Sequence, residues 1–413
     1  MLEDYVTPAA AQRLRSCVLG AHIDAFCERI AHLGYRRATI KQKLWTVSHL
    51  TRWMARAHVA VVDLDDGKAG RFIETRRRYG RACRGFRVTL QQLIEELRSA
   101  GVGRTPERVG DGAPAAVLLA RYEEYLRRER ALAAITITGY RSFVREFVAE
   151  HCGRGGAGQI AVRVQDVRTF LLARVRHMAP KRGQLMGCAL RSFLRFLFLR
   201  GETGVDFALA VPTVRQWRLS SVPRYISTQD VERLLRACDR SSITGRRDHA
   251  ILLLLARLGL RASEVRTLEL GDLRWRQGEI IVRGKGMVSD RLPLLPDVGK
   301  ALAVYIRKGR PAGSSRYVFL CRKAPHRGFA HPSTVSTIVA RALSRAGLAP
   351  AMRGAHLLRH SLATGMVRRG ASLAEIGQVL RHRSPNTTEI YAKLDFGALR
   401  DVALPWPTTA GAR

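Results

Sequence analysis

The residues best suited to chemistry lie in the C-terminal half of the sequence and consist of cations, proton-transfer groups and one phenol. In chain order they are Arg261, Lys285, His356, Arg359, His382 and Tyr391. Cations can neutralise the charge that builds up on a phosphate during substitution, and lysine and histidine can also move protons. A tyrosine hydroxyl can act as the nucleophile. These residue types together predict substitution at phosphorus by a side chain of the protein itself.

Each cation also has a simpler explanation, which the sequence leaves open. Arg261 follows a Gly-Leu pair at the end of an apolar helix, so its half-buried guanidinium needs an anion. That anion is either a phosphate or Glu264. Lys285 lies in the turn RGKGM, whose glycines let a backbone approach a ligand closely. A lysine in a turn is otherwise only solvated.

The histidines and the tyrosine have similar alternatives. His356 and Arg359 are three residues apart in HLLRH, which brings them to one side of a helix around a shared anion. A neutral His356 bonded to a backbone carbonyl is the other possibility. His382 follows the helix LAEIGQVLR. Ser384 is expected to cap a further helix with proline at its first position, which places Tyr391 on the second turn. A tyrosine there is otherwise a packing residue.

Motifs of other phosphate chemistries are absent from the sequence. It has no glycine-rich P-loop, no GxGxxG after a strand, no HExxH and no GxSxG. The acidic run DLDD at 63–66 has no partners for two-metal chemistry. The sequence therefore predicts a reaction with no cofactor, either metal or nucleotide.

The elements that must position these residues divide into domains by composition. We expect an N-terminal helical arm or module at 1–110, a helical domain at 115–205, a linker at 206–223 and a last domain at 224–413. The segment ATIKQKLWTVSHLTRWMA in the first module can be aligned with ITITGYRSFVREFVAEH in the second. The first module is thus either a weak copy of the second or a chance similarity between amphipathic helices.

The last domain mixes helices with short strands. Ser227 and Asp230 form a capping box before an apolar helical period, and RRDHAILLLLARLGL is apolar on nearly every side, which predicts the central helix. Strands are expected at 279–283, 291–295 and 316–322, followed by helices. The predicted fold class is mainly α with a small antiparallel β-sheet.

The charge balance points to a polyanion as partner. Lys and Arg number 71 against 34 Asp and Glu, for a net charge of +37, and only nine of the basic residues are lysine. Arginine makes planar, bidentate contacts with phosphate, which favours nucleic acid. A GC-rich genome would explain arginine in place of lysine, but not a twofold excess of bases over acids.

Other classes of protein are excluded by simple observations. Glu3, Asp4, Arg13 and Arg15 rule out a secretory leader, and the longest strongly apolar run, 250–256, is too short to span a bilayer. The seven cysteines are scattered without a CxxC pair, as expected for buried thiols in a reducing compartment. We expect a cytoplasmic protein, associated with the nucleoid through DNA and not with a membrane.

The order and spacing of the candidate residues resemble the tyrosine recombinase (phage integrase) family. GLRASEVRTLELGDL resembles its first-arginine motif, HLLRHSLAT its His-x-x-Arg box and LRHRSPNTTEIYAKLD its tyrosine motif. The resemblance covers about 115–400 and implies a helical core-binding domain followed by a mixed α/β catalytic domain. These two parts are expected to clamp double-stranded DNA.

The family resemblance implies that Tyr391 is the nucleophile. It would attack the scissile phosphate and form a 3′-phosphotyrosine, leaving a 5′-hydroxyl. Arg261 and Arg359 would neutralise the non-bridging oxygens as charge develops on phosphorus.

The remaining three residues would serve proton transfer and phosphate contact. Lys285 would protonate the departing 5′-oxygen, His356 would help to accept the tyrosine proton, and His382 would hydrogen-bond the phosphate. The phosphotyrosine bond conserves the energy of the broken phosphodiester, so religation would need neither ATP nor a metal.

The sequence departs from the family pattern in two places. Arg381 stands before His382, where the family usually has glycine, and it either touches phosphate or crowds the turn. Residues 1–110 exceed the minimal two-domain recombinase, as in some transposon-borne integrases.

The resemblance also implies an assembly on DNA. Residues 394–404 are expected to form a short helix that either docks on a neighbouring subunit or packs on its own chain. We expect a homotetramer, or a tetramer with related recombinase subunits. The implied function is a site-specific recombinase or integrase of a mobile element. A type IB-like topoisomerase and a catalytically silent DNA-binding regulator are the alternatives.

Overall fold

A computed structural model of the chain describes residues 2–78, 85–102, 114–151, 162–214, 222–284 and 288–394. Two compact units can be separated: residues 1–104 together with 221–413, and residues 105–220. Helices dominate both units, and the only sheet in these described ranges has three antiparallel strands. The predicted class, mainly α with a small antiparallel sheet, is confirmed.

The N-terminal helices build a hydrophobic core of their own. Leucine, isoleucine and phenylalanine recur at helical spacing, and their side chains, such as Phe26, Leu44 and Phe72, are fully buried. The helices are α1 (Pro8–Arg15), α2 (Gly20–His32), α3 (Arg37–Arg56), α4 (Asp66–Arg78) and α5 (Phe86–Ser99).

The second unit is a helical domain with an aromatic core. Tyr122 packs against Phe193 and Phe196 with ring centroids 5.2 and 5.4 Å apart, distances at which aromatic rings attract one another. Its helices are α6 (Pro114–Arg128), α7 (Ala134–His151), α8 (Val164–Val175) and α9 (Pro180–Leu199). The helical interpretation of this part of the sequence is confirmed.

The C-terminal part of the first unit is built around one helix. The apolar run predicted to be central forms α11 (Ile243–Arg257), in which Ala250–Ala256 are all buried. The other elements are α10 (Thr228–Arg236), α12 (Ala262–Thr267), β1 (Leu273–Arg274), β2 (Glu279–Arg283), β3 (Ser289–Pro293), α13 (Pro296–Lys308), α14 (Ser333–Arg345), α15 (Ala355–Val367) and α16 (Leu373–Leu380). Two 3-10 helices, Pro385–Thr387 and Glu389–Leu394, follow.

The strand predictions hold for one strand and need correction for the others. The strand at 279–283 is confirmed as β2. The strand expected at 291–295 is shifted two residues earlier, as β3, because the ladder begins with Ser289 opposite Arg283 and ends with Pro293 opposite Glu279. The strand expected at 316–322 is wrong. Only isolated bridges form there, and Arg310 donates to the carbonyl oxygens of Tyr317 (2.9 Å) and Val318 (3.2 Å), groups that a ladder would need.

The predicted helix caps also differ in outcome. The Ser227 hydroxyl caps α10 by accepting from the Asp230 N–H at 3.0 Å, although the Asp230 carboxylate accepts from that hydroxyl and not from the backbone. Ser384 is the N-cap of a 3-10 helix with Pro385 at its first position, as expected, but its hydroxyl makes no capping hydrogen bond. The Thr387 N–H donates to the Ser384 carbonyl, and Tyr391 lies on the next 3-10 helix and not on a second turn of this one.

Candidate active site

Four helical segments of the C-terminal domain meet where the predicted residues lie. Arg261 is the N-cap of α12, directly after the end of α11, and Arg359 lies in the first half of α15. His382 follows the C-terminus of α16, and Tyr391 lies on the 3-10 helix Glu389–Leu394. The structure therefore brings four of the six predicted residues to one place.

Arg359 is the buried centre of this cluster. Its side chain is 3% exposed and donates to the carbonyl oxygens of Gly259 and Leu380, so it holds the end of α11 to the end of α16. Burial, together with the nearby positive charges of Arg261 and Arg381, lowers the pKa of Arg359 to about 10. It forms no ion pair within the described part of the chain. Its guanidinium is therefore held by dipoles and can still attract an anion.

Gly259 is required for the contact between the two helix ends. Its φ is +59°, and a Cβ atom built there would lie 2.8 Å from a side-chain carbon of Leu380. A left-handed backbone and close packing together favour glycine at this position. The Gly-Leu pair before Arg261 in the sequence thus marks the turn that points the Gly259 carbonyl at Arg359.

Arg261 finds its anion in Glu264, the alternative that the sequence left open. The guanidinium lies 2.7 Å from a Glu264 carboxylate oxygen, and the Arg261 N–H donates to the other oxygen at 2.8 Å. Burial by itself would raise the pKa of Glu264. The hydrogen bond from the Arg261 N–H and the charges of Arg381 and Arg261 have a larger effect in the opposite direction, so the pKa of Glu264 lies below its ordinary value. Arg261 nevertheless keeps 34% of its side chain exposed, and it can contact a second anion there.

Arg381, which departs from the family pattern, crowds the turn but is accommodated. Its φ of +55° lies in the left-handed region, which explains why glycine is usual at this position. The side chain folds back, is 6% exposed and reaches the second Glu264 oxygen at 2.7 Å. Its Nε also lies 3.8 Å from Asp290 of β3. Arg381 therefore links α16 to α12 and to the turn end of the β2–β3 hairpin.

The Tyr391 hydroxyl is hydrogen-bonded to a histidine that the sequence analysis did not single out. His360 Nδ1 lies 2.8 Å from the Tyr391 oxygen, and Tyr391 is 1% exposed. Burial raises the pKa of Tyr391 to about 12, against the opposing charge of Arg359. Burial, with the charges of His356 and Arg359, lowers the pKa of His360 to about 4. A protonated phenol thus faces a neutral imidazole, which accepts the hydroxyl proton when its own proton is on Nε2.

His356 and His382 occupy different surroundings. His356 is exposed, and its ring centroid is 6.2 Å from that of His360, so it lies beside the residue that contacts Tyr391. His382 Nδ1 is 2.7 Å from the hydroxyl oxygen of buried Thr388. Burial, followed by the charges of Arg359 and Arg261, lowers the pKa of His382 to about 4. Any phosphate contact of His382 would therefore use Nε2.

Two predictions lie outside the described residues. Lys285 is one of them, although Gly284 and Val288 on either side are joined by a 2.8 Å backbone hydrogen bond. The tail helix expected at 394–404 is the other, since the description ends at Leu394.

No group of three or more His, Cys, Asp or Glu side chains in the described ranges is placed to hold a metal ion. None of the helices there is long and apolar enough to cross a membrane.

Comparison with known proteins agrees with this geometry. The family described as "Phage integrase family" matches residues 224–397, and "Phage integrase, N-terminal SAM-like domain" matches 119–201. The chain is 42% identical to y4rA of Sinorhizobium fredii, named as an integrase/recombinase, over 94% of this chain and 95% of that protein. It is 30% identical to tyrosine recombinase XerC of Oceanobacillus iheyensis over 68% of this chain and 92% of that one.

A solved structure shares the fold. The XerH site-specific recombinase bound to its palindromic difH substrate matches with a TM-score of 0.55 and 19% sequence identity, over 76% of this chain and 94% of that chain. The extent of the match to y4rA, together with both family matches, leaves no other assignment: the chain belongs to the phage integrase family of tyrosine recombinases, which are site-specific DNA recombinases with strand cleavage and transfer activity.

Proposed function

We propose that this chain cuts and rejoins DNA for a mobile element through a covalent 3′-phosphotyrosine at Tyr391. The observation that carries the proposal is the 2.8 Å contact between the Tyr391 hydroxyl and His360 Nδ1, in the charge field of Arg359. This contact joins a nucleophile to a proton acceptor next to a cation that can hold a phosphate.

The cleavage step follows from the protonation states of these groups. With a pKa of about 12, the Tyr391 phenol is protonated at neutral pH and must lose its proton as its oxygen bonds to phosphorus. Neutral His360 accepts that proton at Nδ1. The ring of exposed His356 is 6.2 Å away, centroid to centroid, and can pass the proton on to solvent. The proton transfer role expected of His356 is thereby divided between the two histidines.

The arginines stabilise the pentacoordinate phosphorus. Two of the five N–H groups of Arg359 donate to carbonyl oxygens, so the others can donate to a non-bridging oxygen of the phosphate. Arg261, oriented by Glu264, offers its exposed face to the other oxygen. His382 contributes Nε2 to the same phosphate.

The leaving group is the 5′-oxygen, which we propose Lys285 protonates. The bond to phosphorus lost by the 5′-oxygen is replaced by the bond to Tyr391, so one phosphoester is exchanged for another. The reverse attack by a 5′-hydroxyl restores the DNA and returns the proton. The exchange is balanced without ATP or a metal ion as reactant.

We also propose the domain roles that the family resemblance implies. Residues 115–205 act as the core-binding domain and 224–413 as the catalytic domain, with 206–223 as linker and 1–110 as an additional N-terminal module. The match of residues 119–201 to the SAM-like domain and the net charge of +37 support contact of both domains with double-stranded DNA. The active assembly would be a tetramer on DNA in the cytoplasm, formed by copies of this chain or together with related recombinase subunits.

Covalent trapping tests the nucleophile. The purified protein is mixed with nicked duplexes that span the ends of its own genetic element, and SDS-resistant, protease-sensitive adducts are measured. Tyr391→Phe should abolish the adduct while DNA affinity stays nearly unchanged. Tyr305→Phe is the matched control, because Tyr305 is an equally buried phenol of the same domain away from Arg359. An adduct in Tyr391→Phe would refute the assignment.

The same preparation separates the alternatives. A type IB-like topoisomerase would relax supercoiled plasmid without bringing two duplexes together, whereas a recombinase should assemble four protomers on paired sites and exchange strands. A silent regulator would bind DNA and form no adduct in the wild type.

A further inference from the structure

A groove of about 1060 Å³ lies within the first unit, between the N-terminal helices and the catalytic domain. One wall is the segment Gly34–Thr39 at the start of α3. The other consists of the start of α11, the end of α13 and the loop before α14. The basic residues that line this basic groove are Arg36, Arg307, Lys308, Arg310, Arg322, Lys323 and His326.

The basic groove concentrates positive charge without compensation. Six of its lining residues are arginine or lysine, and its described lining contains no carboxylate. Other arginines of the unit pair with acids, as Arg29 does with Glu95 and Glu96 at 3.1 and 3.0 Å. Like charges gathered in one concave surface repel each other and raise the local potential, which favours an anionic ligand.

The walls of the basic groove are joined by direct contacts. The His326 N–H donates to the Leu33 carbonyl at 3.2 Å, and the His326 ring packs on Gly34, where a Cβ atom would lie 2.3 Å away. Gly34 has a φ of +78°, so both its conformation and its packing exclude a side chain.

Two of the cations are themselves anchored within the catalytic domain. Arg310 donates to the Tyr317 carbonyl at 2.9 Å, and Arg322 lies 3.4 Å from the Thr244 hydroxyl. Arg310 and Arg322 are therefore held in place before any anion binds, whereas Arg36, Lys308 and Lys323 are exposed.

The basic groove is separated from the active site by the length of α11. Ser242, Ile243 and Thr244 at the start of this helix line the groove, whereas Arg261 follows its other end. Fifteen residues at about 1.5 Å per residue place these ends roughly 22 Å apart. A phosphate in the groove is therefore not the scissile phosphate.

We propose that the basic groove binds backbone phosphates of a second stretch of double-stranded DNA, outside the segment that is cleaved. Duplex DNA carries about one negative charge per 1.7 Å of axis, so it can occupy several separated cations at once. The groove offers no acidic side chain to accept from a base or a ribose, as a site for a small nucleotide would. The inference rests on membership of a DNA recombinase family and is independent of the chemistry assigned to Tyr391.

Charge-neutralising variants test the proposal in the full-length protein. A groove variant replaces three exposed cations with glutamine: Arg36→Gln, Lys308→Gln and Lys323→Gln. A matched control makes the same change in charge at exposed arginines elsewhere in the unit: Arg56→Gln, Arg87→Gln and Arg276→Gln. All six side chains are on the surface, and thermal unfolding of each protein verifies that it folds.

Binding is measured by fluorescence anisotropy over a range of KCl concentrations, with a duplex of about 40 base pairs and one of about 14. The slope of log K against log salt is negative. Loss of three phosphate contacts should make it shallower by roughly 2.7 for the long duplex, at about 0.9 per contact. The short duplex should show little change, because it is too short to occupy both sites. In the control variant, the difference in this slope between the long and the short duplex should be the same as in the wild type.

Three results would overturn the proposal. One is an unchanged slope on the long duplex, and another is equal loss in the groove and control variants. The third is binding of inorganic tripolyphosphate in calorimetry that the groove variant abolishes, with no change on long DNA, which would identify a small anion as the ligand. Adduct formation on a nicked short duplex is scored separately, so failure of the Tyr391 assignment cannot be confused with failure of the groove assignment.

Discussion

His360→Asn is the perturbation that tests the proton path most directly. His360 Nδ1 lies 2.8 Å from the Tyr391 hydroxyl, and asparagine keeps a polar atom near that position but cannot take up a proton at neutral pH. The substitution thus preserves a hydrogen bond and removes the base. Any large loss of cleavage then measures proton transfer and not the packing of Tyr391.

The expected loss can be worked out from the pKa of the phenol. At pH 7 a group with a pKa of about 12 is ionised in about one molecule in 10⁵. A positioned general base typically contributes about 10²- to 10⁴-fold, so His360→Asn should slow cleavage by that factor. His249→Asn is the control, because His249 is a partly buried histidine of α11 with a pKa that burial also lowers.

The pH dependence gives a sharper signature than the rate alone. The pKa of His360 is lowered to about 4, so the neutral, competent form is complete above about pH 5 and is lost only as the pH falls through 4. The wild-type rate should therefore be flat from pH 5.5 to 8.5. In His360→Asn the reaction depends on pre-ionised phenol, and the rate should rise about tenfold per pH unit over the same range.

The assay is single-turnover formation of the covalent adduct on a nicked duplex at sub-saturating protein, which reports the groups of the free enzyme. If the wild-type cleavage rate fell by half near pH 6.5, the base would be an ordinary exposed histidine, such as His356. That result would refute the assignment of His360 as the base. A pH-independent rate in His360→Asn, equal to that of the wild type, would do so as well.

Three further substitutions test the packing around the site and in the N-terminal module. Lys43 is 5% exposed and burial lowers its pKa to about 8, so stability should rise as the pH increases from 8 to 10.5, and Lys43→Met should remove this dependence in urea titrations at several pH values. At pH 7 the loss of the buried charge favours folding by up to about 3 kcal/mol, but the variant also loses the 2.7 Å hydrogen bond to Gln92, which costs about 1.5–3 kcal/mol, so the net change in unfolding free energy should be small. Arg381→Gly removes the strain of a left-handed backbone, about 1–2 kcal/mol, but also the charged contact to Glu264, which contributes about 1.5–3 kcal/mol. A small net loss in unfolding free energy is therefore expected in urea titrations. A more stable variant would show that the ion pair contributes less than the strain costs. Gly259→Ala should reduce the adduct rate by about tenfold or more without weakening DNA binding, because a Cβ at φ +59° would be strained and would move the carbonyl that holds Arg359. A wild-type rate would mean that this turn does not position the site.

The helices and the main catalytic candidates could be predicted from sequence because their signals are local. Apolar residues at helical spacing predict α11 and its burial without reference to the rest of the chain. The motifs around Arg261, Arg359 and Tyr391 likewise resemble the family through residues that are near neighbours in the chain. The strand expected at 316–322 does not form because Arg310 binds the carbonyl oxygens that a ladder would need, and the Ser384 hydroxyl does not cap because the next turn is a 3-10 helix.

The contacts that define the site are not local, and the tertiary structure alone decides them. A histidine one residue after Arg359 on α15 carries no distinctive pattern, and His360 reaches Tyr391 only because the 3-10 helix Glu389–Leu394 packs against α15. Similarly, the sequence indicates Glu264 as a partner of nearby Arg261. The structure adds that the same carboxylate also pairs with Arg381, which is far away in the sequence.

The basic groove is a further product of the tertiary structure. Arg36 and Lys323 share a cavity because an N-terminal helix turn packs on His326. The sequence determined the family, the net charge and the helices, since these depend on residue types and short spacings. Only the folded chain decided which charges are neutralised by a neighbouring carboxylate and which line the basic groove, because electrostatic pairing depends on distance in space and not along the chain.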